Sequence, residues 1–305
     1  MLGYVVRRVA GFVPVLFVVV SASFFIMRLA PGGPFDQDRA LPAQVRANID
    51  ARYHLNDPLP RQYVRYLTDV LRGDLGPSYR YPDRTVNELL SLGFPVSLQL
   101  GSCALAVALC LGGAAGVAAG VRRNSLVDYC SMSCAVLGVS VPNFVLGPLL
   151  MLIFALWLGW LPVAGWGTWR HVILPAFTLG AFYAGYVARL TRAGMLDVFG
   201  QDFIRTARAK GLREATIVLR HALPSAILPV VTYLGPASAA VLTGSVVVET
   251  VFSIPGIGRY FVAGALNRDY TMVLGTVVSY SVLLLGLNLV VDLLTAYLDP
   301  RIQVQ

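Results

Sequence analysis

Six stretches of this chain are apolar for long enough to cross a lipid bilayer, and nothing else in it constrains the fold as tightly. They run Val9–Met27, Val96–Val121, Met132–Trp160, Val172–Val187, Ala226–Val248 and Met272–Tyr297. A spanning helix needs about 20 apolar residues, and each run is near that length. Only 13% of the 305 residues are charged, 56% are hydrophobic and the mean hydropathy is +0.68. Ordinary globular domains carry about a quarter charged residues. The fold expected is an all-α integral membrane protein with six transmembrane helices.

Charge sets the orientation, because Lys and Arg in short loops stay on the cytoplasmic side. Arg7 and Arg8 precede the first run, which exceeds the 7 to 15 residues of a signal-peptide core and continues through Ser21-Ala22-Ser23. It reads as an uncleaved span with its N-terminus inside. Pro31-Gly32-Gly33-Pro34 ends it, and residues 31–95 follow as a neutral segment of eight basic and eight acidic residues placed outside. Arg122-Arg123 falls inside, whereas the short loops Leu161–His171 and Glu249–Tyr270 fall outside with one and two basic residues. Both termini are expected in the cytoplasm. The organisation read is a first span over 1–30, an external segment over 31–95 and a five-helix core over 96–305.

One basic segment is built as well as charged. From Arg189 to Pro224 there are seven basic residues, Arg189, Arg192, Arg205, Arg208, Lys210, Arg213 and Arg220, against Asp197, Asp202 and Glu214. Asp202 can cap a short helix and Gly211 suits the left-handed turn that ends it. Ala215, Val218, Leu219 and Ala222 recur at helical spacing, with Arg213, Thr216 and Arg220 opposite. Leu223-Pro224 is expected to close that second helix.

The spans hold little chemistry. Gly112, Gly116 and Gly120 at four-residue spacing let another helix approach closely. Pro142, Asn143 and Pro148 interrupt the third run, which lipid tolerates where the break packs in protein or lines a path. Arg28, Arg189, Glu249 and Asp292 lie near predicted ends, so interfacial placement is expected for each. Asn288 and Asp292 share a face. Pro142, Asn143 and Glu249 are the candidates for path or gate. Cys103, Cys110, Cys130 and Cys134 form no CxxC, and His54, His171 and His221 are far apart, so helix packing explains the cysteines better than a metal site. The net charge of +8 fits anionic lipid and a cytoplasmic partner and not nucleic acid. GxSxG, HExxH and paired carboxylates within spans are absent, which leaves a membrane hydrolase without reacting groups. Lys210, the only lysine, stands between Ala209 and Gly211, so this chain contains no Walker A loop.

The loop resembles the EAA loop of ABC-importer permeases. Arg205, Thr206 and Ala207 stand at the triplet, Gly211 at the glycine, His221 at the Ile position, and Leu223-Pro224 at the close; RTARAKG followed by RHALP is the form common in peptide permeases. RLAPGGPF, RYHLNDPLPRQYVRYLTDVLRGDLGPSY, GIGRYFVAGALNRDY and the closing YLDP extend the likeness from the first helix to the C-terminus. They look like the peptide and nickel permease branch. The resemblance implies a type I importer (MetI-like) fold in the bacterial inner membrane. Residues 200–224, with Arg205, Thr206, Ala207, Arg208, Gly211, His221, Leu223 and Pro224, would dock two ABC ATPase subunits. Those subunits would bind ATP and Mg, with no cofactor in this chain. It further implies an OppC-like second permease, an extracytoplasmic peptide-binding protein and a peptide substrate. Dipeptides or nickel are alternatives within the branch. An ion-coupled secondary transporter is a different class, against which stands the lack of a midplane carboxylate or internal repeat.

Overall fold

A computed structural model describes residues 2–29, 56–81, 83–242 and 246–298. Its described residues are overwhelmingly helical: α1 (Leu2–Leu29), α2 (Leu59–Leu71), α3 (Val86–Val121), α4 (Leu126–Ser140), α5 (Asn143–Leu150), α6 (Trp169–Phe199), α7 (Asp202–Ala209), α8 (Glu214–Thr216), α9 (Leu223–Ala226), α10 (Leu228–Leu242), α11 (Val246–Val251), α12 (Ile257–Leu266) and α13 (Tyr270–Leu298). Wider π-helical stretches follow α5 at Met151–Trp157 and α8 at Ile217–Ala222. Among the described residues five helical stretches are long and apolar enough to span, and the bent pair Leu126–Ser140 with Asn143–Trp157 passes the same test when taken together, as a broken span or a re-entrant loop.

Several boundaries differ from those expected. The second span begins at Val86, ten residues before Val96, and carries Pro95 inside. Its first turn is polar, with Asn87 and Glu88, so apolarity could not mark its start. The third run is two helices at 108° to one another, with Val141 extended and Pro142 at φ −61°, ψ 143°. Proline excludes the preceding residue from helical geometry, which places the break. Helix α12 occupies part of a stretch read as loop, and α2 part of the polar external segment. The Pro31–Pro34 stop, His54, residues 243–245 of the fifth run and the C-terminal end beyond Leu298 lie outside the described residues.

The chain divides into two compact units, Val96–Gly258 with Leu283–Gln305, and Leu2–Pro95 with Arg259–Val282. In the latter, Phe24 of α1 is buried and stacks on Tyr66 of α2 at 5.4 Å between ring centroids. Arg28 lies over the rings of Phe24 and Tyr270. Asp269 caps α13 by accepting from Met272 N at 3.1 Å, and Ser78 donates to the same carboxylate at 2.5 Å. Two of the resemblance segments, those ending GPSY and NRDY, therefore meet in one hydrogen-bonded knot.

In the other unit α6 is the central helix. The three glycines of α3 lie against it: a Cβ on Gly112 would fall 2.5 Å from Ala184 O, on Gly116 2.6 Å from Ala188 O, and on Gly120 2.6 Å from Met195 Cβ. Gly138 of α4 likewise abuts Ala181 O at 2.8 Å. Lipid supplies no hydrophobic drive between helices, so close van der Waals contact holds them together. Trp157, Trp160 and Trp169 are exposed around the 161–171 loop, as in the aromatic belt of a bilayer interface. Cys103 is half-buried and packs against the core, whereas Cys110, Cys130 and Cys134 are exposed. Asn288 and Val291 of α13 face Gly235 of α10, and Asp292 is half-buried.

Glycine contacts of this closeness are easily tested. Gly116→Leu forces α3 off α6 and is expected to cost about 1–3 kcal/mol through overpacking. Gly113→Leu, at a neighbour whose Cβ would meet nothing within 4 Å, should leave the thermal unfolding midpoint in detergent near that of the unsubstituted chain.

Candidate functional site

The loop between α6 and α10 folds as a small unit on the end of α6. Helix α7 starts at Asp202, preceded by Gln201 as N-cap without a side-chain bond. Asp202 therefore does not cap from outside: it sits in the first turn, pairing with Arg205 at 3.3 Å on the open surface. The helix ends as the glycine suggested. Gly211 has φ +74°, its N–H donates to Arg208 O at 2.9 Å, and Leu212 N donates to Ala207 O at 3.3 Å. This 5→2 and 6→1 pairing is the Schellman arrangement, which needs a left-handed residue at the glycine position.

Burial decides which residues hold the loop and which are presented. Ile204 and Ala207 of α7 pack with Ile217, Val218, Ala222 and Ala226 against Met195 and Val198 of α6. The expected face of Ala215, Val218, Leu219 and Ala222 forms only in part: Val218 and Ala222 are buried, but Ala215 is exposed and Leu219 is 62% exposed, while Ile217 is fully buried. The reason is the π-helical stretch Ile217–Ala222, whose wider turn aligns residues five apart. Pro224 does not close the helix either. It sits in the first turn of α9, where a missing N–H costs nothing, and helix resumes at Leu228 after Ile227. Arg205, Thr206, Arg208, Lys210, Arg213 and Arg220 are exposed, Ala207 is buried, and His221 and Leu223 are half-buried. The matched motif positions thus split into buried anchors and a basic outer surface.

Arg208 ties the two sides of the turn. Its Nη2 reaches Glu214 Oε1 at 2.6 Å and its Nε reaches Oε2 at 3.3 Å, with the guanidinium over the Phe199 ring at 5.5 Å. This hydrogen bond holds the Glu214 carboxyl below its ordinary range and raises Arg208. Because the folded-state value is lowered, the pair contributes above the ordinary carboxylate pKa and is lost as pH falls through the lowered one.

Glu249 stands two residues from the end of the candidate span Leu228–Val251, and inside the protein. It is fully buried, accepting from Ser97 Oγ at 2.6 Å and Gly258 N at 2.8 Å, while Ser97 Oγ accepts from Ile257 N at 2.9 Å. A Cβ on Gly258 would sit 2.9 Å from Glu249 Oε2, and Gly256 is as tightly placed. A carboxylate at the start of α12 also suits the helix dipole. This arrangement anchors the turn before α12 to the start of the second run. Helix α11, which carries Glu249, packs against α5, with Val251 and Phe252 against Gly147, while Pro142 and Asn143 stand at the α4–α5 bend.

Two features escaped the sequence reading. Asp128 of α4 takes a bidentate contact from Arg192 of α6 at 2.6 and 2.8 Å, beneath the Gly120–Met195 contact. The Ser125-x-x-Asp128 spacing, a helix-start pattern, was the available signal. The other is an aromatic face on α6, where Phe182, Tyr186 and Arg189 recur at i, i+4, i+7 and Arg189 lies 4.7 Å over the Tyr186 ring.

The comparisons decide the family. A family model described as "Binding-protein-dependent transport system inner membrane component" matches residues 112–304. The chain belongs to this family. It is 49% identical over 305 residues to the oligopeptide transport system permease protein OppB of Haemophilus influenzae, covering 99% of this chain and 100% of that one. It is 44% identical to the dipeptide transport system permease protein DppB of Bacillus subtilis, over 98% and 97% of the two chains. The glutathione transport system permease protein GsiC of Pectobacterium atrosepticum is 42% identical, over 99% of each. Among solved structures, the fold matches a chain of the MetNI methionine ABC transporter with TM-score 0.59 at 17% identity, over 70% of this chain and 97% of that one. An amino acid ABC transporter chain matches with TM-score 0.51 at 18% identity, over 70% and 94%. The ABC-importer permease fold expected from the loop is thereby shown, in a multi-pass inner-membrane protein whose family works as transport subunits alongside other components.

Two measurements test these contacts. Ser97→Ala leaves a buried carboxylate oxygen and Ile257 N–H short of partners and should lower stability by about 1–3 kcal/mol in thermal unfolding, with Glu249→Ala lowering it more. Amide-exchange protection of residues 211–217 should fall as pH drops through the lowered Glu214 pKa, a fall absent in Arg208→Gln.

Proposed function

We propose that this chain forms half of the membrane path of an ATP-driven peptide importer and is moved by ATPase subunits seated on its 200–224 loop. The observation that carries the proposal is the loop itself. Its buried residues Ile204, Ala207, Ile217, Val218 and Ala222 pack with Met195 and Val198 of α6, so a load applied to Arg205, Arg208 and Arg213 passes directly into a spanning helix. In this reading a second, related permease completes the path and a solute-binding protein delivers peptide from outside. Both termini lie in the cytoplasm with the loop. Two ABC ATPases bind ATP and Mg, and this chain needs no cofactor. ATP binding draws the docked loops together and favours one access state; hydrolysis resets it, since a ligand shifts an equilibrium only by its differential affinity for the two states. The names of the relatives support peptide as the substrate class; a dipeptide or oligopeptide preference separates in uptake assays with peptides of graded length.

Gly211→Val tests the docking. A left-handed φ costs an ordinary residue roughly 1–2 kcal/mol and a β-branched one more. The chain should insert normally while its recovery with the ATPase subunits falls about tenfold; undiminished recovery counts against the reading. Protease cleavage or labelling at the 211 turn from the outer side would remove it altogether.

A further inference from the structure

Helix α6 carries a polar face that the coupling loop does not use. Tyr186 stacks on Tyr233 of α10 at 5.6 Å and 22° between rings, Phe182 touches both Tyr183 and Tyr186 at 5.2 and 5.1 Å, and Arg189 lies over Tyr186. Tyr183, Tyr186 and Tyr233 are half-buried and Arg189 is exposed. Among the described residues none of these three hydroxyls has a hydrogen-bond partner and Arg189 has no carboxylate partner, in contrast to Arg192 one turn on, which is bound by Asp128. The rings join the two helices that enter and leave the coupling loop.

Depth argues that this face is wet. Trp169 marks one interface; at 1.5 Å per residue Tyr183 lies about 21 Å along the helix from it and Arg189 about 30 Å, so the cluster spans the inner third of a ~30 Å hydrocarbon core. Arg189 alone could snorkel outward to headgroups. Tyr183 is about 9 Å short of that edge by the same spacing, and Tyr186 is held inward by its stack on Tyr233. Hydroxyls left without partners in hydrocarbon are costly, so water or a polar ligand must reach them.

We infer that Tyr183, Tyr186, Tyr233 and Arg189 form a peptide-contacting surface of the translocation path, with the phenols meeting backbone amides and Arg189 the peptide's terminal carboxylate. The inference rests on the proposed peptide importer. Phenol rings suit a varied cargo because they offer apolar area and one adaptable hydrogen-bonding group at small entropic cost. A guanidinium on an aromatic ring offers a planar, always-charged partner for a carboxylate.

The test uses the assembled complex in proteoliposomes, with the four native cysteines replaced and single cysteines placed at 183, 186 or 233. A charged, membrane-impermeant methanethiosulfonate should label all three. Short alanine peptides supplied with the binding protein and ATP should protect them, and the C-terminally amidated forms should protect about tenfold less. Arg189→Gln should abolish that difference. Labelling only by an apolar maleimide means a lipid-facing surface, and labelling by neither means a surface covered by another subunit; either overturns the inference, as does equal protection by free and amidated peptides. ATP-driven uptake of the same peptides by the cysteine-free complex is measured alongside. If uptake holds and protection fails, only this surface is wrong; if uptake itself is absent, the importer reading falls with it.

Discussion

Backbone-close packing against α6 is the contact on which the core unit depends. In lipid, apolar side chains gain nothing by leaving their surroundings, so helices stay together through contact area at short range. Gly112, Gly116 and Gly120 of α3, Gly138 of α4, and Gly185 and Gly194 of α6 place backbone against backbone or against β-carbons. Gly194 meets the carbonyl of Ala226 in α9, so the packing that holds α3 and α4 also reaches the segment beyond the loop. A helix held on so many sides moves with little internal give, because close-packed interiors transmit strain. That makes α6 a suitable lever for a loop whose own core is formed with Met195 and Val198.

The unit handles polarity inside its spans in two opposite ways. Glu249 and Asp128 are surrounded by donors, Ser97 and Gly258 for one, Arg192 and Asn124 for the other. Such groups are internal fasteners, costly to expose and equally costly to strip of one partner. Among the described residues the tyrosines and Arg189 on α6 and α10 lack such partners. Satisfied polar groups within a membrane protein point to structure, and unsatisfied ones on an accessible face point to water and to whatever travels through it.

Legibility in the sequence followed the range of the physics. The spans were readable because hydropathy acts residue by residue, and Gly211 because one left-handed turn needs no tertiary help. The glycine triplet of α3 was readable as a close-approach surface, though its partner was not. The misreadings fell where a neighbour overrides local preference. A π-helical widening moved the buried face from Ala215 and Leu219 to Ile217. Pro224 was absorbed into a helix start, and the polar first turn of α3 was drawn into helix despite its composition. Glu249 does stand near the end of a span, but its partner Ser97, 152 residues earlier in the chain, could not be read from either segment.

The sequence alone determined a helical membrane chain with a basic, glycine-turned loop and no phosphate-binding motif, since bilayer length, charge bias and backbone sterics are local constraints. Only the tertiary structure decided which loop residues anchor and which are presented, that a buried carboxylate secures the turn before α12, and that Tyr186 faces Tyr233. Those outcomes depend on which surfaces meet, and pairings between distant segments leave no periodic trace in either segment by itself.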